Sequence, residues 1–290
     1  MLPGMAARPR VAIVGPGNFG TALALALQRA GYAIEVVIAR SRGESSRKAR
    51  RLAEQVGARA STDLSAVRAE LIWFCVPDAA IAVAARVLAE KIEWKGRLAF
   101  HSSGALTSDE LDSLRRRGAA VASVHPMMTF VRGSQPSLAG VPFAIEGDAS
   151  AVRLARRVVQ DMGGRAYSIR KKDKAAYHAW GTFASPLLTA LLATTEQVAE
   201  SAGVNRRTAK QRMIPILLQT LANYAEFGAA GAFSGPIVRG DVDTVKRHLR
   251  VLRGKPAARA VYLELARAAL RYLPAKNKRS LKRILDSSRD

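Results

Sequence analysis

One cysteine, Cys75, in 290 residues excludes a disulfide within the chain. It fits a reducing compartment, and the cytoplasm is the expected location. No apolar run reaches the ~20 residues of a membrane-spanning helix. Residues 1–10 are too short and too polar for a secretory leader, and Met5 offers a second possible start. Acidic residues are also scarce: 23 Asp and Glu stand against 46 Lys and Arg, a formal net charge of +23. Such a balance suits an anionic ligand or surface. The basic residues are spread out, however, and become denser only from Lys246 onward. Arg115-Arg116-Arg117 and the 278–283 segment sit in helix-like patterns. No aromatic-rich basic patch accompanies them, so they read as a solvated face, and nucleic acid is not the expected partner.

Residues 1–168 alternate strand and helix patterns. Strands are expected at Val11–Val14, Ile34–Ala39, Leu71–Val76, Arg97–His101, Ala119–Val124 and Pro142–Glu146. Helices are expected at Thr21–Ala30, Glu44–Val56 and Ala79–Ile92, and Thr107-Ser108-Asp109-Glu110 reads as a capping box that opens another. Such alternation predicts a mainly parallel sheet covered by helices on both faces. Residues 169–290 read as helical throughout. A long stretch runs from Lys171 to Ala202, and Asn205 caps a second that runs to Phe227, with Pro215 expected to kink it. Asp241 caps a third, Pro256 opens a fourth, and a basic helical tail follows. The fold class is thus an α/β Rossmann domain followed by an all-α C-terminal domain.

The strongest motif is Gly15-Pro16-Gly17-Asn18-Phe19-Gly20, set between the first strand and the first helix. Strand, glycine turn and helix N-terminus form the arrangement that cradles a dinucleotide pyrophosphate. About 20 residues further on, NAD-binding chains place an Asp or Glu on the ribose hydroxyls. That carboxylate is missing; the segment reads Ala39-Arg40-Ser41-Arg42. Two arginines and a serine suit a 2′-phosphate, which points to NADP.

Ligands of open α/β sheets bind at the carboxyl ends of the strands. Three of these ends carry polar chemistry: Val76-Pro77-Asp78, His101-Ser102-Ser103-Gly104 and His125-Pro126. Val76, Pro77, His101 and Ser103 are expected near the cofactor, and Ser102 and His125 near substrate. Further on, Lys174 and His178 are four apart, as on one helix face, with Thr182 and Ser185 roughly along it. A Lys and a His there suit proton transfer to a carbonyl or imine. Arg239, in the Gly/Pro-rich segment 234–241, is a candidate for a substrate carboxylate, while His248 reads as structural. His101, His125 and His178 lack the close spacing of a metal motif, and no G-x-S-x-G elbow surrounds Ser102 or Ser103.

The segments VAIVGPGNFG, HSSGAL, SVHPMMTF, KAAYHAWGTFAS and SGPIVRGDVDTVKRHL together resemble the bacterial Rossmann-like proteins that carry domain of unknown function 2520. Wider relatives are the ketopantoate, pyrroline-5-carboxylate and deazaflavin-dependent NADP reductases and the 3-hydroxyacid dehydrogenases. The resemblance implies an NADP-dependent reductase of a small-molecule substrate. It also implies a homodimer formed through the helical domain, and an active site in the groove between the domains. A non-catalytic NADP-binding sensor and a deazaflavin-linked reductase are the alternatives. Two departures bear on the chemistry. The hydroxyacid dehydrogenases have Asn four residues after the lysine that Lys174 matches, and His178 stands there. Pro186 replaces an Asn common in closer relatives and should distort the helix.

Overall fold

The computed structural model describes residues 8–40 and 43–288. The chain divides into two compact units, Met1–Thr182 and Phe183–Asp290.

The first unit is built on an eight-stranded sheet of order β3-β2-β1-β4-β5-β6-β7-β8. Its strands are β1 (Val11–Val14), β2 (Ile34–Ile38), β3 (Arg59–Ser61), β4 (Leu71–Phe74), β5 (Leu98–His101), β6 (Ala120–Pro126), β7 (Pro142–Gly147) and β8 (Arg165–Ser168). All neighbours are parallel except β6 and β7, which run antiparallel. The helices are α1 (Asn18–Arg29), α2 (Glu44–Val56), α3 (Asp78–Ala89), the short α4 (Asp112–Arg115), α5 (Ala149–Asp161) and α6 (Lys174–Thr182).

The period of two in a strand sends alternate residues to opposite faces. Val11 and Ile13 of β1, with Leu71 and Trp73 of β4, join the apolar faces of α1, α2 and α5 in one core. Ala12 and Val14, with Ile72 and Phe74, join those of α3 and α4 in the other. Burial on both faces is why these central strands read as continuous apolar runs. The polar edges of the large aromatics are satisfied: the Trp94 indole donates to the Leu88 carbonyl at 3.1 Å. The order reverses between β1 and β4, whose neighbours lead to opposite edges of the sheet. This switch point is where a crevice opens in such sheets.

Several local expectations are corrected. Helix α1 starts at Asn18, so Gly20 lies inside it. The Thr107 hydroxyl does accept from the Asp109 N–H, but the turn it opens, Ser108–Leu111, is a 3₁₀ helix that leads into α4. Strand β6 extends through His125 and Pro126 because it continues in antiparallel pairing with β7. The sequence reading also passed over α5, β3 and β8.

The second unit opens with a π turn, Phe183–Leu187, around Pro186, as the missing N–H of proline favours. It continues with α7 (Leu188–Glu200), α8 (Arg206–Ala232), α9 (Pro236–Arg239), α10 (Val242–Val251), α11 (Pro256–Tyr272) and α12 (Lys278–Asp286). Asn205 and Asp241 cap α8 and α10 through the N–H groups of Thr208 and Thr244, both at 3.0 Å. Helix α8 stays helical through Pro215; its non-helical residue is Gly228, at φ 67° and ψ 179°. The basic tail is not a loose arm. Leu281 and Leu285 of α12 are buried with Val245, Leu249, Leu263 and Ala266. Among the described residues no helix is long and apolar enough to cross a membrane.

Candidate active site

The glycine turn meets β4 at very short range. Gly15 has φ +107°, and a Cβ there would lie 2.6 Å from the Cys75 carbonyl oxygen. A Cβ on Gly20 would lie 2.2 Å from the Gly15 oxygen. Both glycines are therefore required by the protein itself. Gly17 is different. Its φ of −75° suits any residue, and a Cβ would meet only the Cys75 oxygen, at 3.9 Å. The space in front of Gly17 is open, beside the first turn of α1, which has no side-chain cap and no acid. The free N–H groups and positive end of α1 thus face a place where an anion can approach the backbone.

A cavity of about 870 Å³ extends from this turn. It runs along Gly15–Gly17 and Val76-Pro77 to Ile38, Ala39 and Arg40 at the end of β2. Ser45 and Lys48 of α2 and Thr62 also line it, and none of these three was singled out from the sequence. Lys48 pairs with Glu44 at 2.8 Å, an exposed bridge of the usual i, i+4 kind, so its charge stays at the cavity rim. Ser41 and Arg42 lie outside the described residues. Asn18 and Phe19 are directed elsewhere. The Asn18 side chain donates to the Phe130 carbonyl at 3.2 Å, and Phe19 packs edge-on against the Phe130 ring. Cys75 is half-buried, and desolvation of its thiol pushes the pKa up.

A second cluster gathers at the ends of β5 and β6. His101 is fully used by its own loop. Its Nε2 donates to the Thr107 carbonyl at 2.9 Å, and its Nδ1 accepts from the Ser103 N–H at 3.1 Å. This fixes the neutral tautomer, and burial lowers its pKa to about 4. The Ser103 hydroxyl donates to Asp78 at 2.8 Å and accepts from the Leu106 N–H. The Ser102 hydroxyl accepts from the Trp73 indole at 2.9 Å, which leaves its own hydrogen free to donate outward. His125 shares a 2.8 Å hydrogen bond with the Tyr177 hydroxyl. Burial first, and then the Lys174 charge, lower the His125 pKa to about 3.

Lys174 and His178 occupy different surroundings despite their spacing. Lys174 is 1% exposed, whereas His178 is exposed. The Lys174 ammonium donates to the Ser103 carbonyl at 2.9 Å and to the Ser123 hydroxyl at 2.5 Å. Burial lowers its pKa to about 8, against the opposing pull of Glu146 and Asp78. The buried partner of Lys174 on its own helix is Tyr177, three residues on. Gly104 closes the group: a Cβ there would lie 2.6 Å from His178 Cδ2 and 2.9 Å from His125 Nε2. The two imidazoles therefore converge on a backbone that carries no side chain. Sequence reasoning missed Tyr177, Ser123, Glu146 and Gly104; the i, i+3 spacing of Tyr177 from Lys174 was the available signal. Among the described residues no three His, Cys, Asp or Glu side chains are placed to hold a metal ion.

In the second unit, Arg239 ends α9 beside Gly240, whose carbonyl accepts from Asn277. His248 contacts the Tyr262 hydroxyl at 3.1 Å, a packing role.

Comparison with known proteins agrees with this architecture. Residues 4–126 match the model of a Rossmann-like domain. Residues 141–269 match that of a domain of unknown function, DUF2520. No curated protein sequence matches the chain. A candidate NADP oxidoreductase from Bacteroides fragilis superposes with a TM-score of 0.74 at 24% identity, over 90% of this chain and 97% of that one. A reductive aminase from Aspergillus terreus, in complex with NADPH and ethyl-5-oxohexanoate, gives 0.64 at 17% identity, over 91% and 94%. An imine reductase from a Pseudomonas species gives 0.62 at 21%, over 91% and 94%. At these identities the likeness is one of fold.

Two predictions follow from the geometry. Gly17→Ala should leave the melting temperature unchanged and weaken dinucleotide binding by at least about tenfold, because only a ligand needs that space. Gly20→Ala should instead cost about 1–3 kcal/mol of stability through the clash with Gly15. Calorimetry and cofactor titration of both variants check the contrast. The second concerns acid. The unfolded chain protonates His101 and His125 near the ordinary 6.5, while the fold holds them neutral down to about 4 and about 3. Stability is therefore complete above pH 6.5 and falls as pH drops below it, by about 2 kcal/mol per histidine at pH 5. Urea midpoints at pH 7 and pH 5 test this; equal midpoints would mean the rings are not held neutral.

Proposed function

Because the chain carries a Rossmann-like domain followed by DUF2520, we propose that it is an NADP(H)-dependent oxidoreductase. Hydride passes between the nicotinamide and a small carbonyl or imine substrate. The observation that carries this reading is the open approach at Gly17, joined by one cavity to an end lined by Arg40 and by the Lys48–Glu44 pair. The residues fit the cofactor. The α1 N-terminus receives the pyrophosphate, and Arg40 and Lys48, with Ser41 and Arg42 from the sequence, receive the 2′-phosphate. Arg40 supplies positive charge at the strand end where NAD-binding chains have a carboxylate, while the Lys48 charge is shared with Glu44.

When bound, the cofactor supplies the hydride. The remaining task of the protein is to orient the substrate and supply a proton to its oxygen or nitrogen. His178, exposed and directed toward Gly104, is the side chain of the cluster best placed to touch substrate. His125 and Ser102 orient the same group, with Ser102 offering its free hydroxyl hydrogen. A net charge of +23 favours approach of an anion, which suits a carboxylate-bearing substrate.

The same reading includes a homodimer through the helical unit. Ala209 is the only buried residue described in α8, while Ile216, Leu218 and Tyr224 are 67%, 62% and 59% exposed. An apolar face of this kind is covered in most proteins that carry one. Light scattering at micromolar concentration should give twice the chain mass, and Leu218→Glu should shift it to the monomer.

The function is tested by titrating the protein with NADPH and NADH, then following NADPH oxidation against 2-oxo acids, aldehydes and cyclic imines. Tighter binding of NADPH by about tenfold or more, with turnover, is expected. Binding without turnover on every compound would favour a non-catalytic NADP sensor. Absence of binding would overturn the proposal.

A further inference from the structure

The lysine of the cluster does not stand where a proton donor must stand. Lys174 begins α6 and is 1% exposed. Its two recorded acceptors are the Ser103 carbonyl, after β5, and the Ser123 hydroxyl, on β6. Ser123 itself donates to the same Ser103 carbonyl at 3.3 Å. The ammonium therefore knots two adjacent strand ends together from within the protein. The carboxylates that act on it are already engaged. Glu146 of β7 accepts from the Ser108 N–H and hydroxyl at 2.6 and 2.8 Å, and Asp78 of α3 accepts from Ser103. A buried cation with only partial compensation acts strongly on its neighbours.

The neighbour that faces the site is His125. One ring nitrogen is held by Tyr177, and the other faces Gly104 and the His178 ring. The charged and titratable groups acting on it are Lys174 and His178 of α6 and His101 of β5, and none favours a second proton. Within the reductase reading, we infer that Lys174 is a positioning residue, acting on the site only through the Ser103 carbonyl, the Ser123 hydroxyl and the charge it presents to His125. It neither touches substrate nor transfers a proton. The 103–104 backbone, and with it the gap at Gly104 between the two imidazoles, is set by this ammonium.

The first test uses the unaltered protein. Brief reductive methylation with formaldehyde and cyanoborohydride, followed by peptide mass mapping, should modify the exposed Lys48 and Lys172 and leave Lys174 unmodified. Modification of Lys174 at the rate of those two would overturn the inference, whatever the reaction proves to be. The second test uses Lys174→Met. Its NADPH affinity should stay within about twofold, and turnover should fall by about 10-fold to 100-fold. The His125 ring should titrate at higher pH by NMR, since removal of a nearby cation favours the imidazolium. An unmoved His125 titration would overturn the inference. So would rescue of Lys174→Met by added amines at rates that follow amine basicity, because such rescue marks a lost proton donor. If Lys174→Met does not fold, methylation of the unaltered protein still decides. Failure of the reductase reading would appear separately, as absence of NADPH binding.

Discussion

The contact on which the first unit depends is the approach of two glycines to backbone oxygen. Gly15 lies against the Cys75 carbonyl, and Gly20 lies against Gly15. Neither site has room for a methyl group. This closeness lets α1 start immediately after β1 and directs its N-terminus into the crevice beside β4. The switch point between β1 and β4 would exist in any sheet of this order. Backbone without side chains brings the α1 N-terminus to this point, and Gly17 leaves open space in front of it.

The second cluster is organised by charge instead of space. One cation, Lys174, is buried with hydroxyl and carbonyl partners, and the pKa values of buried His101 and half-buried His125 nearby are lowered. Polar groups withdrawn from water in this way are costly unless each is hydrogen-bonded. The structure meets that demand by closing His101 and Ser123 on Ser103, and Glu146 on Ser108. Freedom is left at Ser102, at the Gly104-facing nitrogen of His125 and at His178, which together form the outward face. The division between a satisfied interior and an open rim sets the cluster apart from a core network.

The alternation of strand and helix was legible because each central strand is buried on both faces and each helix has an apolar stripe. The missed elements had weaker signals. Strand β3 has three residues, and α5 interleaves Arg153, Arg156 and Arg157 with its buried residues. The antiparallel turn from β6 to β7 is decided by pairing across the sheet, which no local pattern encodes. Pro215 promised a kink, yet α8 stays helical through it, and Gly228 supplies the break. In the site, the glycines and strand-end histidines were legible because chemistry and chain position coincide there. That Lys174 shares the buried face of α6 with Tyr177 rather than His178 depends on how α6 is rotated against the sheet. That rotation is set by burial 51 and 71 residues away, at Ser123 and Ser103.

These separations also set an order of assembly. Every residue lining the large cavity falls between Val14 and Leu88. The knot at Lys174 joins groups 71 residues apart and waits for β6, β7 and β8 to be laid down first. Contacts between distant parts of a chain form late, because the loop they close must be ordered before the contact rewards it. During synthesis, the cavity beside the glycine turn therefore has its whole lining while the Lys174 end is still being translated. Under the proposed function, a protein of this design acquires its capacity to hold a cofactor before its capacity to react.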